Sequence, residues 1–207
     1  MARAHDDADK LRRRTEIIRA AVQVFAERGY FAARMREVAE RAGVADGTLY
    51  LYFAGKEDLL VSILEEYAEA FMVRARRDIE QFSDPRDKLR AVVERHLASF
   101  ETDRALAFVF QIELRHTRRF LRRVAKGKVA SYLKLLLDVV TEGIEAGVFR
   151  ADVPPEVGAR VIFGALDETV TAWVLAARPG RLAPQAEPIL RLILQGLHPQ
   201  GKGDDHE

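Results

Sequence analysis

Seven cations, Arg115, Arg118, Arg119, Arg122, Arg123, Lys126 and Lys128, lie within 14 residues, and no acidic residue interrupts positions 115–128. Cations at that density suit phosphate, and Arg takes two oxygens at once with its planar fork. The plain alternative is a solvated basic helix face. A second group is small and polar: Ala45, Asp46, Gly47, Thr48, Tyr50 and Tyr52, followed by Lys56. Small residues let a backbone approach a DNA groove, and Thr48 and Tyr50 can reach base edges or a thymine methyl. Tyr52 and Lys56 would hold the phosphate backbone on one side, and Arg36 and Arg41 on the other. Taken singly, these residues fit the packing of a small bundle. Taken together and in this order, they point to DNA.

Other chemistries find little support. The chain has no Cys, which excludes disulfides, thiolate nucleophiles and Cys-based zinc sites. Ser62, Ser83, Ser99 and Ser131 sit in no nucleophile-elbow context, and no Gly-rich phosphate loop occurs. His96 and His116 lie 20 residues apart, without local metal-site spacing. A satisfied core or surface histidine is the better reading of each. Asp167 or Glu168 could pair with His116 as a base, but no spacing singles them out. The expectation is no enzyme, no cofactor and no metal, with a metal-sensing regulator as an alternative.

The elements that must position these residues are helices. Ile17, Ile18, Ala21, Val22 and Phe25 recur every three or four residues and predict a helix over 15–28, with Thr15 as its cap. Met35 to Ala42 and Asp46 to Tyr52 are short helices, and Lys56 to about Ile79 is long. Pro85 starts the next, lined by Leu89, Val92, Val93, His96, Leu97 and Phe100. An apolar segment, Ala105 to Ile112, precedes a long helix over Thr117 to Ala146 that is weakest at Gly127. Glu156 to Ala177 and Ala186 to Leu197 complete an all-α chain of about nine helices. No stretch alternates with period two for long enough to argue a sheet.

The formal net charge of +1 conceals an alternation: residues 1–56 carry +3, 57–112 −4, 113–140 +6 and 141–207 −4. No apolar run reaches the roughly 20 residues that cross a bilayer. The polar start, Met1 to Asp9, lacks the apolar stretch of a signal peptide, so a cytoplasmic location with no membrane partner is expected.

Residues 33–53 have helix-turn-helix spacing. Met35, Val38 and Ala39 give the inner face of one short helix. Gly43 permits the turn, Val44 fills the angle, and Leu49 and Phe53 face inward from the next helix. Five stretches carry a further signal: Ile17-Ile18-Arg19-Ala20-Ala21, Phe25-Ala26-Glu27-Arg28-Gly29-Tyr30, Val38-Ala39-Glu40-Arg41-Ala42-Gly43-Val44, Gly47-Thr48-Leu49-Tyr50-Leu51-Tyr52-Phe53 and Lys56-Glu57-Asp58-Leu59-Leu60. In these the chain closely resembles the TetR family of bacterial transcription regulators. The resemblance implies a homodimeric, ligand-released repressor on palindromic double-stranded operator DNA. It gives Gly47, Thr48 and Tyr50 to the bases, and Tyr52 and Lys56 to phosphates. It also implies a DNA-binding domain over residues 10–55 and a ligand-binding and dimerisation domain over 56–199. One departure stands out. The family often has Thr or Ser where this chain has Ala33 and Arg34. Ala33 cannot cap the helix, and Arg34 would meet the phosphate with a charge instead.

Further along, Phe110-Gln111-Ile112-Glu113-Leu114-Arg115, the basic run and Thr141-Glu142-Gly143-Ile144 resemble the fatty-acid-degradation repressors of that family. This implies long-chain acyl-coenzyme A as a small-molecule effector. Phe108, Phe110, Leu114, Leu133, Leu137, Val140, Phe163, Leu166 and Trp173 would line an apolar tunnel, although residues of these types are more often plain core. Gln111 joins them as a candidate contact, and the Arg run would meet the phosphates. A multidrug-type sensor of apolar or cationic compounds is the competing reading. The last two helices are the expected dimer interface, with Val157, Val161, Ala165, Ala172, Leu182, Ile189, Leu192 and Ile193 as apolar surface and Gly158 and Gly164 allowing close approach.

Overall fold

The computed structural model describes residues 2–113 and 127–199. Nine α-helices run through the described residues: α1 Ala2–Arg28, α2 Met35–Ala42, α3 Asp46–Tyr50, α4 Lys56–Ile79, α5 Pro85–Thr102, α6 Arg104–Phe108, α7 Lys128–Glu145, α8 Pro155–Leu175 and α9 Ala186–Leu197. The all-α architecture read from the sequence is therefore the one observed.

Boundaries differ where side chains rather than apolar spacing decide them. Thr15 caps nothing, because α1 starts at Ala2 and Thr15 lies inside it. Residues 2–28 contain neither Gly nor Pro, and charges three residues apart tie successive turns, Arg12 to Asp9 at 3.1 Å and Arg13 to Glu16 at 3.7 Å. The third helix stops at Tyr50 instead of Tyr52. The Leu51 and Tyr52 N–H groups turn to the Thr48 and Leu49 carbonyls three residues back, which tightens the last turn. The apolar segment after Asp103 is α6 followed by a π-helical turn, Val109–Glu113. Of the long helix expected over 117–146, the described part begins at Lys128, directly after Gly127. By contrast α5 begins as expected: Pro85 occupies its first turn, and the Asp84 carboxylate accepts the Arg86 N–H at 2.8 Å.

The chain packs as two compact units, one of residues up to 68 with 104–113 and one of residues 69–103 with 127–199. In the first, Ile17, Ile18, Ala21, Val22 and Phe25 of α1 are buried with Val38 and Ala39, Leu49, Phe53, and Leu59, Leu60 and Ile63. Leu106 of α6 and Val109 of the π-turn complete this core. Each such side chain contributes about 1.5–3 kcal/mol of transfer free energy, which short helices like α2 and α3 cannot supply alone. The buried Glu113 carboxylate accepts the Tyr30 backbone N–H at 2.7 Å and so joins the π-turn to the end of α1.

In the second unit α5 packs on α7, α8 and α9, and α8 lies along α7. Leu89, Val92, Val93, Leu97, Leu136, Ile162, Leu166, Val170 and Leu190 are its buried centre. The chain leaves α7 by folding Phe149 back over Gly143. A Cβ there would stand 2.0 Å from the Phe149 ring, so only Gly fits. Beside it, Lys88 Nζ binds both Glu142 oxygens, at 2.6 and 2.8 Å.

Candidate DNA-facing surface and effector site

The turn between α2 and α3 is built around Gly43, which sits at φ 65° and ψ 33°. In that left-handed conformation it closes α2 and lets the Val44 N–H reach the Ala39 carbonyl at 3.0 Å. Leu49 and Phe53 are buried, which turns the opposite side of α3 outward. Ala45, Asp46, Gly47 and Tyr50 are exposed there, with Thr48, Tyr52 and Lys56 half-buried. Next to them Leu51 is 83% exposed. Leu51 was not among the expected contacts, although the inward spacing of Leu49 and Phe53 already points it outward. Phe31, in the loop after α1, is likewise exposed.

The basic residues of this surface are held in place by their neighbours. Arg36 Nε donates to Glu40 at 2.8 Å and also feels Asp46, and both carboxylates hold its proton more firmly. Arg41 forms a two-point fork on Glu27 of α1, at 2.6 and 2.7 Å. Arg34 occupies the N-cap of α2, and its backbone N–H donates to Glu37 at 2.8 Å. The carboxylate of Glu37 thus closes the helix start that the missing Ser or Thr would have capped. Lys56 Nζ donates to the Phe31 carbonyl at 3.0 Å and the Ala33 carbonyl at 2.9 Å, and lies 4.8 Å from the centre of the Tyr30 ring. Burial pushes its pKa down. Lys56 therefore fastens the start of α4 to the loop before α2, a role the sequence did not reveal.

For the effector site, Leu114, Arg115, Arg118, Arg119, Arg122, Arg123 and Lys126 lie outside the described residues. Lys128 is described and pairs with Glu69, lowering the pKa of that carboxyl. In the first unit Phe108 is half-buried, Phe110 packs against the core and Gln111 is buried. In the second unit Val140 and Leu166 are core, while Leu133, Leu137 and Phe163 are half-buried. The Trp173 indole N–H donates to the Gly180 carbonyl at 2.7 Å, so Trp173 pins the chain after α8.

One cluster gathers side chains from four helices of the second unit. His96 of α5 stacks on Tyr132 of α7, with ring centres 5.5 Å apart and planes 11° from parallel. Phe71 of α4 meets both edge-on, at 6.1 and 5.1 Å. Phe100 closes on His96 at 5.2 Å, and Phe163 of α8 on Tyr132 at 5.9 Å. Burial lowers the His96 pKa to about 4, against a smaller opposing pull from Asp167. Burial likewise raises the Tyr132 pKa, so both groups are neutral near pH 7. His96 Nε2 and Tyr132 Oη are buried without a hydrogen-bond partner among the described residues. The sequence placed His96 on the buried side of its helix but gave no sign of Tyr132 as its neighbour.

On α8 the residues Val157, Val161, Gly164, Ala172 and Leu175 are exposed in a stripe of helical spacing, and Leu192 of α9 is 72% exposed. Ala165, Ile189 and Ile193 are half-buried. Leu182 is not part of that surface: it is fully buried. The Glu101 carboxylate accepts the Leu182 and Ala183 N–H groups at 3.2 and 3.3 Å, which draws this loop inward. Gly158 also faces inward, where a Cβ would stand 3.3 Å from Val140. Among the described residues no group of three His, Asp or Glu side chains could hold a metal, and no helix is long and apolar enough to cross a membrane.

The sequence pattern of bacterial regulatory proteins of the tetR family matches residues 17–63, and that of the C-terminal region of YsiA-like proteins matches residues 64–196. The fatty acid metabolism regulator protein of Bacillus subtilis (strain 168) is 38% identical over 183 residues, which is 88% of this chain and 94% of that protein. The crystal structure of the transcriptional regulator FadR from Bacillus subtilis in complex with stearoyl-CoA superposes with a TM-score of 0.84 at 38% identity, covering 89% of this chain and 99% of that one. The fatty acid degradation regulator FadR from Bacillus halodurans also gives 0.84, at 37% identity over 94% of this chain and 97% of that one.

Proposed function

The chain belongs to the TetR family of bacterial transcriptional regulators, and from that premise we propose that it is a homodimeric repressor of fatty-acid-degradation genes, released from its operator by long-chain acyl-CoA. The observation that carries the effector is the likeness, over nearly the full length of both chains, to a regulator solved with stearoyl-CoA. In this reading residues 10–55 bind DNA, and residues 56–199 bind the effector and dimerise. Gly47, Thr48 and Tyr50 read bases in the major groove, with exposed Leu51 beside them as an apolar contact to thymine methyls. Arg34, Arg36, Tyr52 and Lys56 take phosphates, which fixes register without reading sequence. Asp46 repels phosphate and instead accepts from a cytosine amine. Two copies, joined through α8 and α9, present two such surfaces to a palindrome.

The effector has an apolar end and an anionic end. The aromatic cluster and the half-buried Leu133 and Leu137 suit the tail, and the Arg115 to Lys128 run suits the phosphates of coenzyme A. Binding releases DNA only if the effector favours the form that no longer fits two successive major grooves. Helix α4 begins beside the DNA-facing residues and ends in the second unit, so movement of its far end carries to Lys56.

Displacement from DNA tests the reading. A palindrome selected from random duplexes is bound, then challenged with palmitoyl-CoA, palmitate, free CoA and a hydrophobic cation. Release by palmitoyl-CoA, with much less by either fragment, is the expected result. If the cation releases the DNA and palmitoyl-CoA does not, the protein is a drug-type sensor and the acyl-CoA assignment is wrong.

A further inference from the structure

Two polar atoms in the second unit are buried at a cost that nothing else in the cluster offsets. His96 Nε2 and Tyr132 Oη have no hydrogen-bond partner among the described residues, and both belong to one stacked pair of rings. An unsatisfied buried donor or acceptor costs roughly 1–3 kcal/mol, whereas Phe at either position would fill the space without that cost. The rings around them, Phe71, Phe100 and Phe163, are apolar.

This surrounding defines what would satisfy the pair. The occupant must not be anionic, because two uncharged groups do not compensate a buried carboxylate or phosphate, and the Asp167 carboxylate that acts on His96 would repel one. It must accept from the tyrosine hydroxyl and also from the imidazole N–H in the matching tautomer. A carbonyl oxygen has two lone pairs and does both. It must also be attached to an apolar group that can pack against the aromatic rings around the pair. Building on the acyl-CoA reading above, we propose that His96 and Tyr132 jointly hydrogen-bond the thioester carbonyl of the effector and so recognise the acyl-sulfur junction itself.

The pair then separates thioesters from molecules that offer only an apolar tail. A free fatty acid puts an anion where the site takes a neutral oxygen, and free CoA lacks the acyl carbonyl. Neither residue touches DNA in this scheme, so both act on effector choice alone.

The test compares palmitoyl-CoA with hexadecyl-CoA, a thioether of matched chain length that lacks only the carbonyl. Affinities are measured by calorimetry on the purified full chain, without DNA. The wild type is expected to prefer the thioester by roughly tenfold, the net value of one to two good hydrogen bonds. Tyr132→Phe and His96→Phe each lower that ratio, and the double substitution brings it close to one. Ligand-free Tyr132→Phe should melt at or above the wild-type temperature, since it only removes an unsatisfied hydroxyl. Equal binding of both ligands by the wild type overturns this inference and leaves the acyl-CoA reading standing. Binding of neither overturns that reading and this one with it. A variant that melts lower and loses both ligands in equal proportion has only a packing role, which also overturns the inference.

Discussion

Lys56 and Tyr50 both belong to the proposed DNA-facing surface and will answer substitution differently. The Lys56 ammonium holds two carbonyl oxygens and lies over the Tyr30 ring, so Lys56→Ala removes structure as well as charge. Its expected effects are a loss of about 1 kcal/mol in urea unfolding and weaker binding to every duplex, with a shallower salt dependence. Tyr50 is 56% exposed, so Tyr50→Ala should leave stability within about 0.5 kcal/mol and change which bases are enriched in a selection. His96 gives a pH signature. Its pKa falls from an ordinary 6.5 to about 4 in the folded chain, so protonation favours unfolding. Its contribution is complete above about pH 6.5 and is lost as the pH falls towards 4, a change of about 3 kcal/mol. Asp167 on α8 opposes this shift, while Tyr132 on α7 stays neutral throughout the window. His96→Phe should flatten stability between pH 6.5 and 4, and an unchanged slope would place the titration elsewhere. Periodicity gave the buried side of α5 correctly, because Leu89, Val92, Val93 and Leu97 share it with His96. It could not give the stacking on Tyr132, since that partner comes from a distant helix and a histidine on an apolar helix face looks the same with or without one.

At the scale of elements, α2, α9 and the start of α4 were legible to the residue, since each joins a clear apolar spacing to a Gly, Pro or charged boundary. The start of α1 was not, because charged residues, with pairs such as Arg12–Asp9 and Arg13–Glu16, precede the apolar stripe that begins at Ile17. The end of α3 was missed for a different reason: Leu51 and Tyr52 keep a helical sequence pattern while their N–H groups reach back only three residues. The corner after α7 turns at Gly147, whose φ is 69°, but the essential position is Gly143 inside the helix. Gly143→Ala should destabilise by at least 1–3 kcal/mol, about the cost of overpacking, despite raising intrinsic helix propensity. Urea unfolding measures it, and a neutral result would mean that Phe149 has room to leave. Phe149→Ala should make Gly143→Ala nearly harmless in a double-mutant cycle, because the clash is then gone.

For the whole molecule, the exposed stripe on α8 and Leu192 on α9 lead to a prediction about assembly. Val161→Glu and Leu192→Glu should give folded monomers in sedimentation if this stripe joins two copies, with operator affinity lost in parallel. Leu182→Glu should instead unfold the chain, as it places a charge in a closed interior. A wild-type monomer at micromolar concentration would remove the dimer from the proposal. The sequence could not separate these two classes of apolar residue. Leu182 and Leu192 are alike in type, and it is the Glu101 carboxylate, far away in the chain, that turns one of them inward. The first unit carries a longer-range consequence, because it is not one continuous piece of chain. Leu106 and Val109 return to close its core, and Glu113 grips the Tyr30 backbone. A hybrid of this chain made by a single crossover after residue 68 would have a hole in the interior of its first unit. A working hybrid has to be spliced at three joints, so that 104–113 travels with the unit whose core it fills.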